Sequence, residues 1–159
     1  MEIDKWRKIS EQIVYDGYRK VRKTEFELPD GSRKNFDILI ERDFVNIMAI
    51  NTNNEVILVK QFRPGREQIY TELPAGAIDD NESPETAAKR ELLEETGYIV
   101  GSMIKLNTSS IFAYASSQCH AYLARECKKV GEPTLEDEFL EVIEKPLKDF
   151  RKMLESEET

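Results

Sequence analysis

Histidine is almost absent from this 159-residue chain, and His120 stands alone. That excludes a metal centre built on several imidazoles and a histidine-paired nucleophile within one chain. Cysteine is nearly as scarce: Cys119 and Cys127 form neither a CxxC pair nor a Cys/His ligand spacing, and two thiols make no disulfide scaffold. Basic residues are outnumbered, 23 lysines and arginines against 31 acids for a net charge of −8, so the broad basic footprint of a nucleic-acid binder is missing. Long apolar runs are missing too. The longest, residues 111–115, falls far short of the ~20 residues of a membrane helix. The first ten residues, MEIDKWRKIS, mix both charges and carry no apolar stretch, unlike a signal peptide. The expectation is an acidic, soluble, cytoplasmic protein with no nucleic-acid or membrane partner, whose chemistry rests on carboxylates.

The length suits one domain, or one domain with a small extension. Residues 1–10 read as a short helix or an unfixed tail. Residues 13–18, 19–28 and 34–41 are β-capable, the last two joined by Pro29-Asp30-Gly31-Ser32, a turn in which proline presets φ and glycine accepts φ > 0. Further strands are expected at 44–50, 55–61, 98–106, 118–124 and 139–144. One helix is clear: Ser83 can cap it, Pro84 suits its first turn, Glu85 complements its dipole and Gly97 stops it. A second is expected over about 146–156. Many strands around two helices read as an α+β fold with a mixed sheet.

The first of these helices carries Glu91, Glu94 and Glu95 within an arc of about 100°. Like charges at helical spacing repel, and two lie near the helix C-terminus, where the dipole disfavours anions. A divalent cation offsets both penalties, and hard oxygen ligands point to Mg²⁺, with Mn²⁺ second, rather than zinc. The bland alternative is a solvated acidic face paired with Lys89 and Arg90.

The flanking residues decide between them. The pattern Gly-x5-Glu-x7-Arg-Glu-U-x-Glu-Glu-x-Gly-U, with U bulky and aliphatic, is the Nudix box. The chain resembles it at all seven fixed positions, Gly76, Glu82, Arg90, Glu91, Glu94, Glu95 and Gly97. At roughly 7% per position, a chance match at one site is on the order of 10⁻⁸. Beyond the box, the strands at 44–50 and 55–62, the Glu72-Leu73-Pro74-Ala75-Gly76 stretch and the N-terminal strands resemble the ADP-ribose pyrophosphatase branch.

That resemblance implies an α/β/α sandwich around a mixed sheet (residues 43–159) with a small antiparallel β extension (residues 1–42) that builds a homodimer. It implies Mg²⁺-dependent hydrolysis of a nucleoside diphosphate sugar, with ADP-ribose giving AMP and ribose 5-phosphate as the leading case. GDP-mannose or another nucleotide sugar is the alternative within that class. A catalytically silent nucleotide-sugar-binding module is the alternative outside it. By resemblance, Glu91, Glu94, Glu95 and the Ala75 carbonyl ligate metal, Arg90 holds a glutamate in place, Glu82 braces the loop, and Gly76 and Gly97 permit close turns. Arg63 and Glu72 face substrate. Glu138, then Glu136, supplies a base from the loop before a late strand, with Glu94 as the candidate within the box. The segment around Ser116 and Ser117 has neither proline nor acid where the branch usually carries a Ser-Pro-Gly loop, and its serines are candidates for recognising the sugar. Cys119 and His120 are expected to pack.

Overall fold

The structure, a computed structural model, describes residues 4–134 and 139–156. The chain forms two compact units, residues 1–43 with 109–118, and residues 44–108 with 119–159.

The first unit is a three-stranded antiparallel sheet in the order β1 (Arg7–Asp16), β2 (Lys20–Glu27), β3 (Arg33–Ile40). Strand β1 overturns the expected N-terminal helix or tail. Its register sets Arg7 opposite Glu27, where the side chains pair at 2.7 Å, and Trp6 just before it packs against Phe26 and Phe36. Cross-strand contacts of this kind outweigh a local pattern with little periodicity. The Pro29–Ser32 turn links β2 to β3 with Gly31 at φ 81°. Residues 109–118 add to the same unit. Leu39 donates its N–H to the Tyr114 carbonyl and accepts from Ser116 N–H, and the Tyr114 ring stacks on Phe36.

The second unit is built on an eight-stranded mixed sheet. Its main path is β11 (Leu140–Pro146), β5 (Glu55–Arg63), β4 (Phe44–Asn51), β10 (Cys119–Lys129), β8 (Tyr98–Ile99). The β4–β10 pair is parallel, and β9 (Ser102–Ser109) pairs with β10. The strand expected over 98–106 is therefore two, broken at Val100-Gly101. Gly101 lies against Glu126, at a bulge in β10 where Glu126 takes φ 56°.

Alternation along the strands assigns the two faces. On β5, Ile57 joins Val45, Ile47, Ala49, Leu92, Tyr122 and Ala124 in one core cluster, under helix α1 (Pro84–Thr96). Its neighbours Val56 and Leu58 point the other way and pack with Phe150, Leu147 and Met153 of helix α2 (Leu147–Glu155). A helix on each face of a mixed sheet is the expected sandwich. No helix among the described residues is long and apolar enough to cross a membrane.

Strands β4 and β5 pair directly only at Ala49–Ile57 and Ile50–Val56. Beyond that they splay, and a segment with no clear strand pattern in its sequence fills the opening. Strand β6 (Gln68–Glu72) pairs with β5, Leu73 and Pro74 follow, and β7 (Ala75–Ala77) pairs with β4. The carboxylates of α1 lie over this insertion.

Candidate active site

Helix α1 starts where the sequence says it should. Ser83 Oγ accepts from Thr86 N–H at 3.1 Å, Pro84 occupies the first turn, and Gly97 closes the helix at φ 73° with its N–H on the Leu93 carbonyl. A Cβ at Gly97 would also collide with the Gly131 carbonyl, so glycine is required twice over.

The buried stripe of this helix is Ala87, Ala88, Glu91, Leu92, Glu95 and Thr96. Glu91 and Glu95 are thus not on a solvated face. They are 8% and 3% exposed, on the side that carries Leu92 into the core. Taking a carboxylate out of water costs several kcal/mol unless something compensates, and here the compensation is specific. Glu95 Oε2 accepts the Ala75 N–H at 3.0 Å. Glu91 lies against Gly76, where any Cβ would overlap its carboxyl group, so glycine at 76 makes room for an acid. The two carboxylates therefore meet adjacent residues of β7.

Arg90 ties the rest together. Its Nε and Nη2 hold both oxygens of Glu82 at 3.0 and 2.9 Å, and Nη2 also reaches the Ala77 carbonyl at 3.0 Å. Its Nη1 donates to Glu91 Oε1 at 2.7 Å and to Glu94 Oε2 at 2.9 Å. One guanidinium thus serves three glutamates and one carbonyl, the forked geometry for which arginine is suited. These hydrogen bonds, led by the one to Glu82, hold the guanidinium firmly charged. In return the Arg90 bond holds the Glu82 carboxyl below its ordinary value. Glu82 also accepts from Asp79 N–H at 3.2 Å, which fastens the loop before the helix.

The three acids read from the sequence as one ligand set are divided in the structure. Glu91 and Glu95 are buried over β7, while the Glu94 side chain is 34% exposed and bound to Arg90. Among the described residues, no group of three or more histidine, cysteine, aspartate or glutamate side chains is arranged to hold a metal ion by itself. The donors over β7 are hard oxygens with neither thiolate nor imidazole, and a Mg²⁺-like cation needs only one or two carboxylates when water completes its shell. The residues fit such an ion.

Arg63 and Glu72 pair with each other, Nε to Oε2 at 2.8 Å, across β5 and β6. Ser116 and Ser117 lie in the first unit. The Ser116 hydroxyl donates to the Glu41 carbonyl at 3.2 Å and lies 3.1 Å from its N–H, and Ser117 is buried. Cys119 and His120 are buried on β10, with His120 Nδ1 3.1 Å from Thr108 Oγ1. Glu136 and Glu138 lie outside the described residues. Thr134, the last described residue before them, donates its N–H to the Glu94 carbonyl at 2.8 Å.

Comparison with known proteins places the chain in a family. The NUDIX domain model matches residues 41–158. The ADP-ribose pyrophosphatase of Bacillus subtilis (strain 168) is 37% identical over 139 residues, covering 84% of this chain and 74% of the relative. The methanol dehydrogenase activator of Bacillus methanolicus is 35% identical over 140 residues, covering 85% and 75%. A crystal structure of an ADP compounds hydrolase superposes with a TM-score of 0.86 at 25% identity, covering 99% of this chain and 87% of that one. The chain belongs to the Nudix family. It is a hydrolase of that family, similar to its ADP-ribose pyrophosphatases, and Nudix hydrolases generally use divalent metal ions.

Proposed function

We propose that the protein cleaves the diphosphate of a nucleoside diphosphate sugar with Mg²⁺ as its cation, ADP-ribose giving AMP and ribose 5-phosphate being the leading case. The observation that carries this is the pair of buried carboxylates, Glu91 and Glu95, set on adjacent residues of β7, with the Arg90 guanidinium shared among Glu91, Glu82 and Glu94. Neighbouring buried carboxylates repel one another when both are ionised, and a bound divalent cation would offset that repulsion.

The residues that would hold the cation are Glu91, Glu95, Glu94 and the Ala75 carbonyl. A divalent cation held there would supply positive charge against the diphosphate and would make a coordinated water a better nucleophile. The other tasks fall to the chain. Arg90 keeps Glu91 oriented and holds the Glu82 loop against α1. Arg63 and Glu72 exchange their mutual ion pair for contacts with substrate. Glu138 takes the proton from the attacking water, with Glu136 the second candidate for that role. A base of this kind contributes ~10²-fold or more, so Glu138→Gln lowers kcat by that factor with KM nearly unchanged. A silent Glu138→Gln, with Glu94→Gln alone abolishing the basic limb, moves the base into the box.

The test is product analysis on ADP-ribose, GDP-mannose and other nucleotide sugars, with Mg²⁺ and then with chelator. The proposal requires a nucleoside monophosphate and a sugar phosphate in equal amounts, only with the cation present. Binding without turnover on the whole panel would instead mark a silent nucleotide-sugar module.

A further inference from the structure

The last turn of α1 is an unfavourable place for the acids it carries. The unpaired carbonyls of a helix C-terminus bear partial negative charge, which basic side chains commonly offset. Here the last turn holds Glu94 and Glu95 and no basic residue. Backbone donors from residues 130–134 take that part instead. Val130 and Gly131 N–H both reach the Gly97 carbonyl, at 2.9 and 3.3 Å, and Thr134 N–H donates to the Glu94 carbonyl at 2.8 Å. Gly97 and Gly131 approach so closely that a Cβ at Gly97 would stand 2.1 Å from the Gly131 oxygen. The turn between these donors is itself braced, with Lys129 Nζ donating to Glu132 Oε2 at 3.1 Å.

Glu94 is therefore held from two sides. Its carboxylate accepts from Arg90 Nη1 at 2.9 Å, and its carbonyl accepts from Thr134. Glu95, the next residue, seats its own carboxylate on the Ala75 N–H at 3.0 Å. Helix ends fray where terminal carbonyls go unpaired, and fraying of this turn would displace both carboxylates together. Thr134 is exposed and makes its contact through the backbone, so a substitution can remove the donor without opening the core.

We propose that Thr134 is a positioning residue for the cation site, its N–H fixing the last turn of α1 in the form in which Glu94 and Glu95 serve one divalent cation. This rests on the reading that those acids hold the cation. A site that is competent only part of the time loses affinity in proportion to that fraction, so loosening the turn weakens cation binding more than the fold. The test is calorimetric titration of the full chain with Mg²⁺, in the absence of substrate. Thr134→Pro lacks the N–H and binds Mg²⁺ about fivefold more weakly, the order of one lost hydrogen bond. Thr134→Ala keeps the N–H and the affinity. Amide exchange in the wild type checks the same link without a substitution. An opening that disrupts the site is opposed by bound cation, so saturating Mg²⁺ slows exchange at Thr134. The Gly31 N–H of the first unit, on the Leu28 carbonyl at 2.9 Å, exchanges as before. A folded Thr134→Pro variant that binds Mg²⁺ within about twofold of wild type overturns the proposal, as does a Thr134 amide indifferent to Mg²⁺. Wild type that binds no Mg²⁺ at millimolar concentration rejects the cation reading and this inference with it. Binding that Glu95→Gln weakens and Thr134→Pro does not rejects this inference alone.

Discussion

Arg90 carries more of the site than any other residue, because its one guanidinium bonds Glu82, Glu91 and Glu94 together. Its side chain is 28% exposed, so its partners are screened by water only in part. Breaking a buried ion pair by removing one partner costs about 3–5 kcal/mol, because the other charge is left behind. Arg90→Ala should therefore lower stability by about 3 kcal/mol in denaturant titration. Arg90→Lys should recover only a small part, since an ammonium cannot hold both oxygens of Glu82 as a fork. Glu95→Gln runs the opposite way. Its amide oxygen still accepts the Ala75 N–H while a buried charge disappears, so the melting temperature is unchanged or higher and turnover falls by ~10²-fold or more. A Glu95→Gln enzyme with wild-type turnover would remove this residue from the cation site.

At the scale of elements, helix α1 was legible almost to the residue, because Ser83, Pro84 and Gly97 are local signals for its two ends. Strands β6 and β7 were not. The stretch around Leu73-Pro74-Ala75-Gly76 has the texture of a loop, and it becomes strand only because β4 and β5 splay and leave their edges to be paired. The acids of the box were visible as a pattern, but not their burial, since that depends on which stripe of α1 meets the sheet. Tyr98, just past the helix, offers a separate test of packing there. It is 4% exposed and its hydroxyl donates to Glu144 on β11. Burial first, and Glu144 second, push its phenol from 10.0 up to about 12. A raised pKa means that this contribution is complete below the unfolded value of about 10 and is lost as pH rises through about 12. Wild type should thus lose on the order of 2 kcal/mol of stability between those limits, and Tyr98→Phe should lose markedly less. Thermal melts across that range that fall equally for both would contradict the assignment.

For the whole molecule, the two units raise different questions. A three-stranded sheet is marginal unless it packs on something, and β1 and the turn after it leave Ile13, Val14, Tyr15 and Tyr18 between 49% and 95% exposed. We propose that a second copy of the chain covers this surface, as the sequence resemblance implies. The native protein should then scatter light as a dimer, and Ile13→Lys combined with Val14→Lys should shift it to monomer. A wild-type monomer at concentrations of full activity rules that out. The central proposal concerns the second unit: that the buried carboxylates over β7 hold a divalent cation with which the protein hydrolyses a diphosphate. The most direct measurement is the rate of ADP-ribose hydrolysis against Mg²⁺ concentration, for wild type, Glu91→Gln and Glu95→Gln. Wild type should saturate and fall to nothing with chelator, and each variant should need far more Mg²⁺ and reach a much lower plateau. Identical Mg²⁺ curves for all three proteins, or a wild-type rate indifferent to chelator, would contradict it.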